Sequence, residues 1–223
     1  MSKIKIDQLI RSSRRTLSLE ITAEARLVVR APRRARMAEI EDVLLKKRSW
    51  ILSKQEQVQK KRLEMKPKEF VDGESFLYLG RFYKLKIVEE PSVFRFEDGF
   101  FLSRDYFDSV KRVFTQWYQA RALAIITERV EWHAGLAGLS YKSIKLSNAV
   151  KRWGSCSTQG RLRFSWRLVM APPDAIDYVV AHELAHLKEQ NHSRAFWTKV
   201  ADMLPAYKQG AAWLEAHQHL LNL

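Results

Sequence analysis

The spacing of apolar residues changes several times along this chain, and each change marks an element. Thr16–Thr22 and Ala25–Arg30 alternate apolar and polar positions, which predicts two strands closing a hairpin, with Pro32 ending the second. From Met37 to about Arg62 the period lengthens. Ile40, Val43, Leu44, Ile51 and Val58 fall on one side of a single amphipathic helix, and Pro67 ends that region. Phe76–Val88 reads as two strands, or as one bent at Gly80. Val93–Leu102 reads as a hairpin turning at Asp98-Gly99. Tyr106 to about His133 has no Gly or Pro and carries Val110, Val113, Phe114, Trp117, Leu123, Ile126 and Val130 as helical stripes, with Gly135 and Gly138 ending it. Ser143–Ser147 is a short strand, Lys151–Gly160 a polar turn punctuated by glycine, and Arg161–Val169 a strand. That last strand lies either at a sheet edge, where a peptide could add to it, or inside the sheet. Phe196, Trp197, Val200 and Leu204, then Trp213 and Leu214, predict two closing helices around Pro205. The whole is an α+β chain. Residues 1–104 form a β-rich region with one long helix, and residues 105–223 a mainly helical region.

One predicted helix carries chemistry. Ala175–Leu187 has Ile176, Val179, Val180, Leu184 and Leu187 at helical spacing, behind Pro172-Pro173, with Asp174 as the expected N-cap. Within it stand His182, Glu183 and His186, the pattern H-E-x-x-H. Residues four apart share a helix face, so two neutral imidazoles can bind one Zn²⁺. Such an ion lowers the pKa of water toward ~7, and a carboxylate beside it can take the proton, which gives a nucleophile suited to a peptide carbonyl. Catalytic zinc has three protein ligands and one open position. His192, in Asn191-His-Ser193 where the apolar pattern stops, is the expected third ligand. Glu215 is the alternative, if the site uses two His and one Glu.

The chain has 223 residues and is 46% hydrophobic, so it can bury a core. No apolar run is long enough to cross a membrane, and residues 1–8 have no signal-peptide pattern. Cys156 is the single cysteine, which excludes an internal disulfide and fits a reducing cytoplasm. Net charge is +14 and the pI about 10.0. The first 62 residues hold 17 Lys/Arg against 7 Asp/Glu, a net +10, in clusters at 11–15, 33–36, 46–48 and 60–62. These can serve nucleic acid or simply face solvent. The second reading is favoured, because no nucleic-acid motif or interleaved aromatic series accompanies them. His133 is read as the polar end of a helix, and His217 and His219 as surface residues.

Arg152-Trp-Gly-Ser-Cys-Ser157, Pro172, Asp177–Leu187, Asn191-His-Ser193 and Phe196-Trp197, in this order, resemble the YgjP-like metallopeptidases, relatives of the SprT-like and WLM zinc proteases. The likeness is strongest over 140–200. It implies a zincin-like fold, a zinc-dependent peptidase, ligands at His182, His186 and His192, and Glu183 as the catalytic carboxylate. Arg152 and Tyr178 are candidates for holding substrate or its oxyanion. The family often has Asn where this chain has Ser165. A metzincin would carry Gly at the position of Glu189. The SprT likeness also implies, as an alternative, a protease acting on DNA-bound proteins. A non-catalytic zinc module is a third alternative, disfavoured by Glu183.

Overall fold

In the computed structural model, residues 4–64, 67–150 and 152–223 are described. The side chains of Lys61 and Arg62 in the last basic cluster, and Lys151 at the start of the polar turn, lie outside the described residues. The chain forms two compact units, Met1–Lys66 and Pro67–Leu223.

The first unit is a three-stranded sheet with two helices. Its strands are β1 (Gln8–Ser12), β2 (Ser18–Ile21) and β3 (Leu27–Pro32). β3 is central, parallel to β1 and antiparallel to β2. The hairpin is the one the alternation predicts, whereas β1 was not legible in it. Leu27, Val29 and Ala31 recur every second residue and are fully buried with Ile40, Leu44 and Ile51 of the helices. Where one helix is expected there are two, α1 (Met37–Lys46) and α2 (Arg48–Glu64), with Lys47 leaving helical geometry at φ −101°, ψ 10°. No Gly or Pro marks this break. Part of the basic surface is structural. Arg11 Nη1 donates to the carbonyls of Pro32, Arg33 and Ala35, at 3.3, 3.2 and 2.7 Å, and Arg14 donates to Ser18 Oγ at 2.8 Å.

The second unit begins with β4 (Ser75–Tyr78), β5 (Arg81–Val88), β6 (Phe94–Phe96) and β7 (Phe100–Ser103), in sheet order β4-β5-β7-β6. A division at 104/105 is therefore not where the compact units part. Phe76 and Phe100 of this sheet pack on Phe114 of α3 (Val110–Ala137), at ring separations of 4.6 and 5.1 Å, and join the core that holds the later helices. The Tyr118 hydroxyl of α3 donates to the Leu77 carbonyl at 2.7 Å. Gly135 stays within α3. The helix ends at Gly138, whose φ of +60° suits a residue without a Cβ.

The remaining strands are β8 (Ser143–Ser147), β9 (Gly154–Cys156) and β10 (Arg161–Ser165). β10 lies in the middle, parallel to β8 and antiparallel to β9. The strand 161–168 is thus internal. Among the described residues the outer strands are β8 and β9, and β9 falls in the segment read from sequence as a turn. A 3-10 turn, Trp166–Met170, follows β10, and the backbone amides of Leu79 and Gly80 bond its Val169 and Met170 carbonyls at 3.0 and 2.9 Å. That clamp aims the chain into α4 (Pro173–Ala185). Pro172, not Asp174, occupies the N-cap position, and Pro173 fits the first turn because no intrahelical partner is needed there. α4 is buried on most sides, between α3, β9, α5 (Arg194–Met203) and α6 (Tyr207–His217).

Candidate metal centre

α4 presents His182 and His186 one turn apart. His186 is its C-cap residue, still near αR geometry, so the ring keeps its helical direction. The chain then leaves the helix. His186 Nδ1 lies 2.9 Å from the Glu189 carbonyl, and Gln190 Nε2 donates to the His186 carbonyl at 2.5 Å. A carbonyl only accepts, so His186 Nδ1 is the donor in this contact, and Nε2 is the ring nitrogen left to face the other histidines. This turn returns His192 to the helix, with its Nε2 3.1 Å from His182 Nε2. Each of His182, His186 and His192 offers a ring nitrogen, and the three lie within 4.8 Å of one another. Among the described residues Glu215 does not join this group; it is exposed on α6.

Phe196 supports the cluster. It is fully buried, with its ring 4.9, 4.6 and 4.7 Å from those of His182, His186 and His192. Ser193 Oγ accepts from Phe196 N at 3.4 Å and caps α5, which fixes that ring relative to the loop carrying His192. The sequence offers Phe196 as an apolar helix position and as part of the family resemblance; its packing against all three rings is what the structure adds.

A cavity of about 480 Å³ opens onto the three histidines and is also lined by Arg152, Gly154, Cys156, Tyr178 and Glu183. Both sequence candidates for substrate contact, Arg152 and Tyr178, therefore face it. Arg152 is exposed; Tyr178 is half-buried, 5.9 Å from His182 between ring centroids, and stacks on Tyr207. Burial pushes the Tyr178 hydroxyl upward, and Tyr207 and Glu183 add to it. Cys156 is pushed up to about 11 by burial and by Glu183, so it is a protonated thiol rather than a reactive thiolate. Ser165 is buried away from this opening and donates to the Ala149 carbonyl at 2.6 Å, which ties down the loop before β9.

Electrostatics set the two key groups apart. His182 is lowered to about 4, first by burial and then by His186 and His192, so it is a neutral imidazole at ordinary pH. Glu183 is only 5% exposed, and burial raises it to about 7 against the opposing pull of Arg152. Its Oε2 is buried with no hydrogen-bond partner among the described residues. Three converging ring nitrogens, that of His182 held neutral by burial, beside a carboxylate with an unpartnered oxygen fit a divalent cation of zinc's ligand preference.

Behind the site, α4 is clasped to α3. Asp177 receives Arg129 through both oxygens, Nε at 2.5 Å and Nη2 closer still, and His133 Nε2 stands 3.4 Å from Oδ1. His133 is thus a buried partner of this pair, not the polar tip of a helix end.

Three histidine nitrogens around one point, a carboxylate within the same opening and room for a substrate are the features of a metal-dependent hydrolase type of centre. A family model described as "YgjP-like, metallopeptidase domain" matches residues 15–217. The chain belongs to the YgjP-like metallopeptidase family, and its α+β fold is zincin-like. A crystal structure of the metallopeptidase zymogen of Pyrococcus abyssi abylysin is similar over 42% of this chain and 95% of that one, at 20% identity and a TM-score of 0.38, too slight a likeness to bear on the fold. A comparison with curated proteins returns no match.

Proposed function

We propose that this metallopeptidase is zinc-dependent, with His182, His186 and His192 as ligands and Glu183 as general base. The observation that carries the reading is the convergence of three ring nitrogens within 4.8 Å, in the opening that Glu183 also lines. The chemistry such an ion supplies when bound is Lewis acidity toward a carbonyl and toward water.

The protein's own groups do the rest. Glu183 Oε2, unpaired and adjoining the cluster, takes the proton of the attacking water and returns it to the departing amine. The Glu183 side chain is held between α4 and β9, so it needs little reorganisation to act. β9 pairs with β10 on one side, and among the described residues its other edge has no strand. An extended peptide can pair there and lie across the opening, with main-chain hydrogen bonds giving affinity. Tyr178 and Arg152 then stand where they can hold the substrate or donate to the carbonyl oxygen as it gains charge. The reading places the enzyme in the cytoplasm, in keeping with a single cysteine.

The test is Glu183→Gln, which preserves size and removes the base. The variant keeps zinc and loses hydrolysis of an unfolded protein such as casein by about 10²-fold or more. Equal cleavage by parent and variant rejects the base. Full cleavage by parent protein stripped of metal rejects the zinc dependence.

A further inference from the structure

Gly154 lies on β9, opposite Phe164 of β10, where the strand packs on α4. Its φ is not in the left-handed region, so the backbone conformation does not demand glycine. The space does. A Cβ at residue 154 would stand 2.5 Å from Glu183 Oε1, 2.6 Å from Cγ and 2.7 Å from Cδ. Carbon atoms settle at separations of about 3.5–4.0 Å, so all three contacts are collisions. Two of them involve the carboxyl group, and the third involves Cγ, one bond from the Cβ that α4 holds fixed. Rotating the end of the side chain cannot relieve that one. The carboxylate would have to leave its place against the strand, and the side open to it is the cavity.

We propose that Gly154 is a positioning residue whose missing side chain forms the seat of the Glu183 carboxylate. The seat is specific to that group. The three atoms nearest to a Cβ at residue 154 all belong to Glu183, and none of them belongs to a histidine of the cluster. The glycine therefore governs where the carboxylate stands without governing where the imidazoles stand. It also sets how closely the free edge of β9, the proposed line of the substrate, approaches the group that is to act on it. The catalytic consequence rests on the reading of Glu183 as the base; the steric coupling does not.

The experiment is a double-mutant cycle on the full chain, with Gly154→Ala, Glu183→Ala and the two combined, each read by thermal denaturation and bound zinc. Overpacking one methyl into a filled contact predicts that Gly154→Ala lowers Tm by roughly 3–10 °C in the parent. In the Glu183→Ala background the obstructing atoms are gone, and the same substitution shifts Tm by less than about 2 °C. All four proteins hold one zinc. Should Gly154→Ala alone fail to fold, recovery of folding in the double variant gives the same result. Equal shifts in the two backgrounds, a double variant that also fails to fold while Glu183→Ala folds, or zinc lost from Gly154→Ala would each overturn the proposal. Kinetics separate it from the function: Gly154→Ala lowers kcat with KM little changed. An active Glu183→Gln with a coupled cycle rejects the base and keeps the seat. An inactive Glu183→Gln with an additive cycle rejects the seat and keeps the base.

Discussion

Replacing Asp177 by Asn tests whether the clasp between α3 and α4 holds the helix that carries the histidines. The Asp177 side chain is 8% exposed and accepts from Nε and Nη2 of Arg129, with the His133 ring beside it. Asparagine keeps the shape but replaces one acceptor with a donor that opposes Arg129, and removes the charge. A net hydrogen bond to a charged group is worth about 1.5–3 kcal/mol, and breaking a fully buried pair costs about 3–5 kcal/mol. The Arg129 side chain is 31% exposed, so water recovers part of its charge, and about 2–3 kcal/mol is expected. For a chain of this size that is a fall in Tm of roughly 5–10 °C. The pH dependence has a definite sign. Burial pushes the Asp177 carboxyl up, but His133 and Arg129 outweigh it, and the net is below the usual carboxylate range. Asp174 and Glu128 also face the Arg129 end of the pair. A depressed folded-state value means that the stabilisation is complete above the unfolded value of ~3.9 and disappears as pH falls through the folded value. Melting curves of parent and Asp177→Asn, taken at matched pH, should stay apart by a constant amount from pH 8 to 6 and converge below about pH 4. A shift under about 1 °C at pH 7, or a gap unchanged in acid, would refute the clasp.

Other outcomes follow from the cluster and the charge. Purified protein should carry about one zinc per chain. His192→Ala should lose most of it and Glu215→Ala none, as metal analysis after dialysis would show; the reverse would make Glu215 the third ligand. Nucleic acid should bind the basic first unit only weakly, with an affinity that vanishes near physiological salt and has no effect on proteolysis. Replacing Arg33, Arg34 and Arg36 together by Ser should flatten the salt slope in a titration. Tight binding at that salt with DNA-stimulated cleavage would instead favour a protease acting on DNA-bound proteins.

The parts of the site that were legible are those set by local periodicity. His182 and His186 share a face because a helix repeats every 3.6 residues, and the apolar stripe around them predicted that helix. His192 could be nominated from its spacing, but Glu215 remained open because a turn's direction is not written in its residues. β9 escaped notice because three residues with a glycine look like a turn until a partner strand is known. The Arg129–Asp177 pair spans 48 positions and has no local signature. The break at Lys47 has none either, since no breaker residue marks it. Gly154 could be seen as a punctuation mark, whereas its use as space for another residue's side chain depends on the approach of a helix distant in sequence.

The three histidines belong to segments of very different permanence. His182 and His186 sit on a helix enclosed by neighbours, so exposing them requires opening much of the second unit. His192 sits in the short exposed stretch between α4 and α5, held by a turn and by its contact with Phe196. Free energies of opening differ in this way within one protein, from near zero in loops to the global value in the core. On the proposed ligand set, the third arm is then the one with the lowest cost of opening. That reading makes metal uptake and release depend on this loop, and amide hydrogen exchange in the metal-free protein should be faster across residues 190–193 than in α4.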